Sequence, residues 1–361
     1  MKKLFLVILI SCFVIRSDAQ TFANTTFRGF NVSMFIQKND LKYLHEINVN
    51  VVRLILAEAP LMRKEPPYGY NEKTFARMDS LLDWCREYHI KVVLDPHNFP
   101  GTQSNFTTTF RDEFWTDYKW HQLIIKFWED IAEKYKNNET IVGYDLLNEP
   151  AFTLNSVDNG PGSWNELVAK LVKAIRNKGD HHTIIIETPA GRESLVKVTW
   201  MNRVTGIETI RLPKDDNLVV SPHFYEPLPF TRQGVGNTDR FSFPGDVNGQ
   251  HYDCDKLMEI AQSIVDFQKA HKNVPIYIGE FGASRFSGPD GDKYVSCLME
   301  IFEKYHWSWT FHNFRERNPK VIGVGNWEAE ASETDLHKRE QVPNTPRMTM
   351  LQKYFKNNRT F

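Results

Sequence analysis

Two carboxylates in this chain stand where a carboxylate is costly. Glu149 closes Tyr144-Asp145-Leu146-Leu147-Asn148-Glu149-Pro150, and Glu280 lies in Ile276-Tyr277-Ile278-Gly279-Glu280-Phe281-Gly282. Each follows directly on an apolar run, where burying a charge demands a partner or a use. Two such groups flanking a sugar can serve as acid/base and nucleophile, and retention of configuration requires them about 5–5.5 Å apart. A pair of salt bridges, with Arg53 as one partner, is the purely structural alternative. Further polar residues stand in similar places: Arg53, Asp95, His97-Asn98, Asn148, His223, Tyr225, Trp309 and His312 lie at or near the ends of β-rich runs.

The elements that must position them alternate. Short β-rich runs fall at 27–32, 51–56, 91–95, 141–148, 183–188, 218–224, 276–280 and 307–311. Several are nearly continuous in Val, Ile and Leu, as strands buried on both faces of a parallel sheet are. Helical spacing occupies 72–88, 117–135, 163–177, 256–271 and 292–305, the third opened by a Ser163/Glu166 capping box. Eight strand signals with helices between them predict an α/β fold, a single (β/α)8 TIM barrel with extended βα loops, over residues 20–361. In that architecture strand C-termini converge on one face, so the polar strand ends share one mouth. The longest loop, 226–255, follows the sixth strand. The glycine-rich phosphate turn of a doubly wound sheet, the Walker pattern and the Gly-x-Ser-x-Gly elbow are all absent from the sequence.

Taken in order, Arg28-Gly29-Phe30-Asn31, Val52-Arg53-Leu54, His97-Asn98, Asn148-Glu149-Pro150, His223-Phe224-Tyr225 and Gly279-Glu280-Phe281-Gly282 resemble the strand-end motifs of glycoside hydrolase family 5, the cellulase family of retaining (β/α)8-barrel glycosidases. The resemblance implies Glu149 as acid/base and Glu280 as nucleophile. It implies that Arg53 keeps Glu280 ionised and that Glu280 raises the pKa of Glu149. Asn148 would bond the sugar 2-OH, and His223 and Tyr225 would orient the carboxylates, with the Tyr225 hydroxyl donating to Glu280. His97 would line the cleavage subsite. Of Trp307 and Trp309, which share a face of a straight strand, Trp309 is nearer the C-terminal end and is expected to form the stacking floor. His312 departs from the family pattern. The implied activity is hydrolysis of a polysaccharide or oligosaccharide without a cofactor, most simply an endo-β-1,4-glucanase, with mannan-specific or exo-acting hydrolysis as the alternatives.

Composition is compatible with that expectation. The 44 Lys+Arg nearly balance 45 Asp+Glu, which argues against nucleic acid as a partner, and a mean hydropathy of -0.46 excludes a multi-span membrane protein. Aromatics reach 13%, shared between core and ring-stacking roles. Residues 1–19 read as a secretory signal: Lys2 and Lys3, an apolar run from Leu4 to Ile15, and Ser17-Asp18-Ala19 before the cut. Leu9-Ile10-Ser11-Cys12 also fits a lipoprotein box, with a lipid anchor at Cys12 and a cell-surface location as the alternative. Cys85, Cys254 and Cys297 then remain; at most one pair can form, and Cys85 and Cys297 are expected as buried thiols. Neither His-x-His nor His-Glu-x-x-His occurs, so no metal site is expected. A non-catalytic secreted glycan-binding barrel is the rival from another class, and both carboxylates and Arg53 speak against it.

Overall fold

The computed structural model describes residues 21–57, 60–63, 65–101, 113–150, 163–189, 204–236, 239–317 and 323–358. The leader, Cys12, Phe152 and Trp200 lie outside them. The barrel strands are β1 (Arg28–Ser33), β2 (Val51–Ile55), β3 (Lys91–Asp95), β4 (Ile141–Asp145), β5 (Thr183–Glu187), β6 (Leu218–Ser221), β7 (Tyr277–Phe281) and β8 (Ser308–Phe311). All pair in parallel in the order β6-β5-β4-β3-β2-β1-β8-β7. Two parallel bridges, Val220 to Ile276 and Phe224 to Phe281, bring the last pair together and nearly close the ring. Helices α1 (Lys38–Glu46), α2 (Glu72–Glu87), α3 (Lys119–Tyr135), α4 (Trp164–Asn177), α5 (Cys254–Ala270), α6 (Gly288–Lys304) and α7 (Pro346–Phe355) accompany the strands.

Alternation along each strand divides the core in two. Val51, Val93, Val142, Ile185, Val219 and Tyr277 fill the barrel's interior, with Phe22 and Phe27 packed against them. The large outer core joins the opposite strand faces to the helices. Two bulges break the alternation. Between β7 and β8, Trp309 pairs with Ile278 and Phe311 with Phe281, so β7 carries one extra residue. Gly279 and Glu280 thereby both face inward, while Ile278 and Phe281 join the outer core. A Cβ on Gly279 would lie 2.6 Å from Ser221 Oγ, so only glycine fits beside Glu280. The second bulge, between β3 and β4, turns Val142 and Gly143 inward together.

The structure differs from the sequence expectation at several ends. β4 stops at Asp145 and β6 at Ser221, because the polar residues beyond them curl over the mouth. Trp128 follows this bend, its indole N–H donating to Leu146 O at 3.0 Å. α1 and α7 carry short, weak apolar stripes, and neither is read from the sequence; Gln37 and Asp40 cap the former, Thr345 and Pro346 open the latter. The 226–255 loop holds a helical turn (Leu228–Thr231) and a hairpin (Gly245–Val247 with Gln250–Tyr252). Its Phe230 and Phe243 pack on Tyr294 of α6, against the outer wall. Among the described residues no helix is long and apolar enough to cross a membrane.

Cys297 is not a thiol. It pairs with Cys254 across a separation of 43 residues, while Cys85 is the free, buried cysteine expected. The bridge ties the end of the long loop, at the start of α5, to the middle of α6. Cys254→Ser is expected to lower unfolding stability by at most about 4 kcal/mol in chain-entropy terms. Denaturant melts of the oxidised protein and the variant measure this, and identical midpoints would count against it.

Candidate active site

One guanidinium organises the mouth. Arg53, on β2, is completely buried and spends all three nitrogens on strand-end acceptors. Nε donates to Asp145 Oδ2 at 2.8 Å, and Nη1 to Glu280 Oε1 at 2.8 Å and Asn31 Oδ1 at 3.0 Å. Nη2 reaches Glu187 Oε1 at 2.7 Å, Asn148 Oδ1 at 2.9 Å and Asp95 Oδ2 at 3.0 Å. Burial disfavours its charge, but the four surrounding carboxylates hold the guanidinium well above its ordinary pKa. Asp145, at the end of β4, is one of the four. Burial and the nearby Glu187 push its pKa well above the usual carboxylate range, against the pull of Arg53.

Glu280 takes Arg53 on Oε1 and the Tyr225 hydroxyl on Oε2, the latter at 3.0 Å. Burial opposes its ionisation, yet the positive groups around it, His223 foremost and Arg53 among them, hold it well below the usual range. Glu149 stands across from it, one oxygen 3.0 Å from His223 Nδ1. An atom from each of Glu149, His223 and Glu280 lies within 4.8 Å of the other two. Glu149 has φ +43°, a left-handed backbone unusual for a side-chain-bearing residue. Its N–H donates to Glu187 Oε2 at 2.6 Å, which holds that turn in place. His97 Nδ1 meets Asp95 Oδ2 at 2.8 Å and its Nε2 lies 3.4 Å from Asn148 Nδ2. His223 bridges Glu149 and Glu187, the second contact at 3.3 Å. Burial lowers its pKa, but Glu187, Glu280 and Glu149 outweigh that and push it up to about 10.

The structure thus brings together Arg53, His97, Asn148, Glu149, His223, Tyr225 and Glu280. It does not bring Trp309. That ring is fully buried behind the strand, its N–H 3.2 Å from Glu303 Oε1 and its face against Phe281 and Phe355. The expected stacking floor is a core residue because Trp307 and Trp309 take the outward face of β8. The small Ser308 and Thr310 take the inward one, bonding Phe27 N and Gly279 O. Among the described residues the tryptophan at the mouth is Trp327, half-buried, 5.9 Å from the Tyr225 ring and 6.3 Å from His312. Asn313 N–H donates to Trp327 O, and Ala329 N–H to Asn313 O, so the segment after β8 carries it rigidly. Of the other loop tryptophans, Trp115 and Trp164 are core; the Trp164 N–H donates to Glu187 O at 3.0 Å. Sequence reading also misses Glu187 itself. Its signal is the one that marks Glu149 and Glu280: a carboxylate closing the apolar run Ile184-Ile185-Ile186.

Paired carboxylates at the C-terminal mouth of a (β/α)8 barrel, one held ionised by the positive groups around it, are the arrangement of a glycoside hydrolase. The profile of the family described as Cellulase (glycosyl hydrolase family 5) matches residues 17–318, and the chain belongs to that family. It is 24% identical over 299 residues to Endoglucanase C of Acetivibrio thermocellus, covering 74% of this chain and 81% of that protein. It is 25% identical over 284 residues to Cellodextrinase A of Ruminococcus flavefaciens, covering 75% and 76%. Among solved structures, endoglucanase Cel5A of Thermotoga maritima superposes with a TM-score of 0.67 at 24% identity, covering 91% of this chain and 96% of that one.

Two expectations follow from this geometry. Trp309→Ala is expected to cost about 3–5 kcal/mol of stability, whereas Trp327→Ala raises KM with little change in melting temperature; the reverse pattern would restore Trp309 to the cleft. His223 has a folded-state pKa of about 10 against an ordinary 6.5. Its charge therefore stabilises the fold fully below pH 6.5, and that contribution is lost as pH rises through 10. The melting-temperature gap between wild type and His223→Gln should narrow across this window, and a constant gap would contradict the linkage.

Proposed function

We propose that the chain hydrolyses β-1,4-linked glucan by double displacement with retention, acting within the polymer. The observation that carries the mechanism is the closeness of the two carboxylates: oxygens of Glu149 and Glu280 lie within 4.8 Å of each other. Such closeness suits direct attack on the anomeric carbon, whereas an inverting pair stands wider apart to hold a water between its carboxylates. Glu280, held ionised by Arg53 and oriented by Tyr225, attacks. Glu149 protonates the departing oxygen, then draws a proton from the incoming water. His223 connects the two, Asn148 faces the sugar 2-OH, His97 lines the cleavage subsite, and Trp327 supplies the apolar ring under the substrate. The names of the relatives support a glucan: endoglucanases recur among them, beside a cellodextrinase.

Secretion belongs to the same proposal. The Cys254–Cys297 bond supports it, since such bonds persist in oxidising compartments. The mass of the mature chain, beginning at Gln20 or carrying lipid on Cys12, decides between release and anchoring.

Purified protein offered carboxymethyl cellulose, mixed-linkage glucan, mannan and xylan is expected to cut the glucans, with internal cleavage seen as early mid-length products. Glu280→Ala and Glu149→Ala, verified as folded by circular dichroism, should each lose at least about 10³-fold in kcat. Wild-type activity in either variant would sink the assignment of that residue. Mannan cut in preference to glucan would sink the substrate while sparing the mechanism.

A further inference from the structure

Three histidines surround Glu280, and the mechanism above employs two. His97 is engaged by Asp95, and His223 by Glu149 and Glu187. His312 is the third. It follows β8 directly, and its N–H donates to Phe281 O at 3.0 Å, which sets its ring beside the carboxylate one residue earlier. Its Nδ1 lies 4.0 Å from Glu280 Oε2, the oxygen that Tyr225 also addresses. That nitrogen is enclosed and has no hydrogen-bond partner among the described residues. The side chain as a whole is 20% exposed. Its accessible edge is therefore the one away from Nδ1, carrying Nε2, with Trp327 alongside.

The charged groups bearing on this ring are Glu280 from β7, Glu316 from the segment after β8, and His97 and Arg53 from across the mouth. Burial outweighs the two carboxylates and holds the imidazole below its ordinary pKa, so it is neutral at neutral pH. A neutral imidazole has one N–H and one lone pair, and whatever binds one nitrogen determines what the other offers.

We propose that His312 is a positioning residue that couples the bound sugar to the nucleophile: a substrate hydroxyl donates to Nε2, the ring proton is thereby fixed on Nδ1, and Nδ1–H closes onto Glu280 Oε2. This rests on Glu280 being the nucleophile. The added donor stabilises the carboxylate most when it carries full charge, as it does on leaving the glycosyl-enzyme. Its effect accordingly falls on breakdown of that intermediate. No proton leaves the ring; the hydroxyl only selects which tautomer is present.

The test uses His312→Phe, His312→Asn and His312→Gln, with wild-type melting temperature as the check on folding. The substrate is 2,4-dinitrophenyl β-cellobioside, whose activated leaving group makes breakdown of the intermediate limit kcat. The Asn amide sits near the place of Nδ1, and the Gln amide near that of Nε2. His312→Phe is expected to lose about tenfold in kcat, the size of one charge-assisted hydrogen bond, and to lower kcat/KM, which reports binding and formation of the intermediate. Asn should recover kcat without kcat/KM, and Gln kcat/KM without kcat. Wild-type constants in the Phe variant would overturn the proposal, as would Asn and Gln recovering the same constant. If the wild type prefers another β-glycan, its dinitrophenyl glycoside replaces the cellobioside and the same split is read. An active Glu280→Ala variant would instead sink the mechanism on which the coupling rests.

Discussion

Arg53 is a single cation buried at the centre of the barrel mouth, and Asp95, Asp145, Glu187 and Glu280 all converge on it. Such a concentration of carboxylates in a low-dielectric interior survives only because charge is balanced locally. Arg53 contributes one positive charge and His223 a second, while burial and Glu187 work against the charge of Asp145. The balance does more than hold five strands together. It holds Glu280 well below the usual carboxylate range, at the mouth where the proposed substrate would sit, and it lets Glu149 hang from Glu187 and His223 rather than from the arginine.

Two local backbone features convert this charge cluster into a directed site. The extra residue in β7 lets Gly279 and Glu280 both face inward, so the carboxylate is aimed by the ladder itself. The left-handed turn at Glu149 folds the end of β4 back over the mouth. A bulge and a left-handed residue both cost conformational energy, and they occur here at Glu280 and Glu149, the two carboxylates proposed to carry the chemistry.

The segment after β8 supplies what the strands do not. It anchors to the barrel through Arg315 and Arg317 on Asp40 of α1 and through Arg347 on Asp292 of α6. It presents Trp327 beside Tyr225 and His312. The wall of the cleft near Glu280 is thus built from the loop of the last βα unit, held by ion pairs, and Trp327 comes from that loop rather than from a strand end.

Much of this was legible in the residues. The alternation of apolar runs with helical stretches determined the barrel, because strands buried on both faces leave a distinctive apolar signature. Glu149, Glu280, Arg53, His97, His223 and Tyr225 were legible for the complementary reason that polar groups at the ends of such runs must share one mouth. Glu187 carried the same signature and was overlooked. Trp309 failed because a strand's period of two gives equal standing to both of its faces. Which face meets the helices depends on register, and register on the bulge in β7, a long-range pairing with no local signal. Trp327, the bond between Cys254 and Cys297, and the placing of His312 beside Glu280 likewise join residues far apart in the chain or across strands. The sequence by itself determined which chemistry the mouth could hold; only the tertiary structure decided which side chains reach it, because inward and outward are properties of the closed sheet.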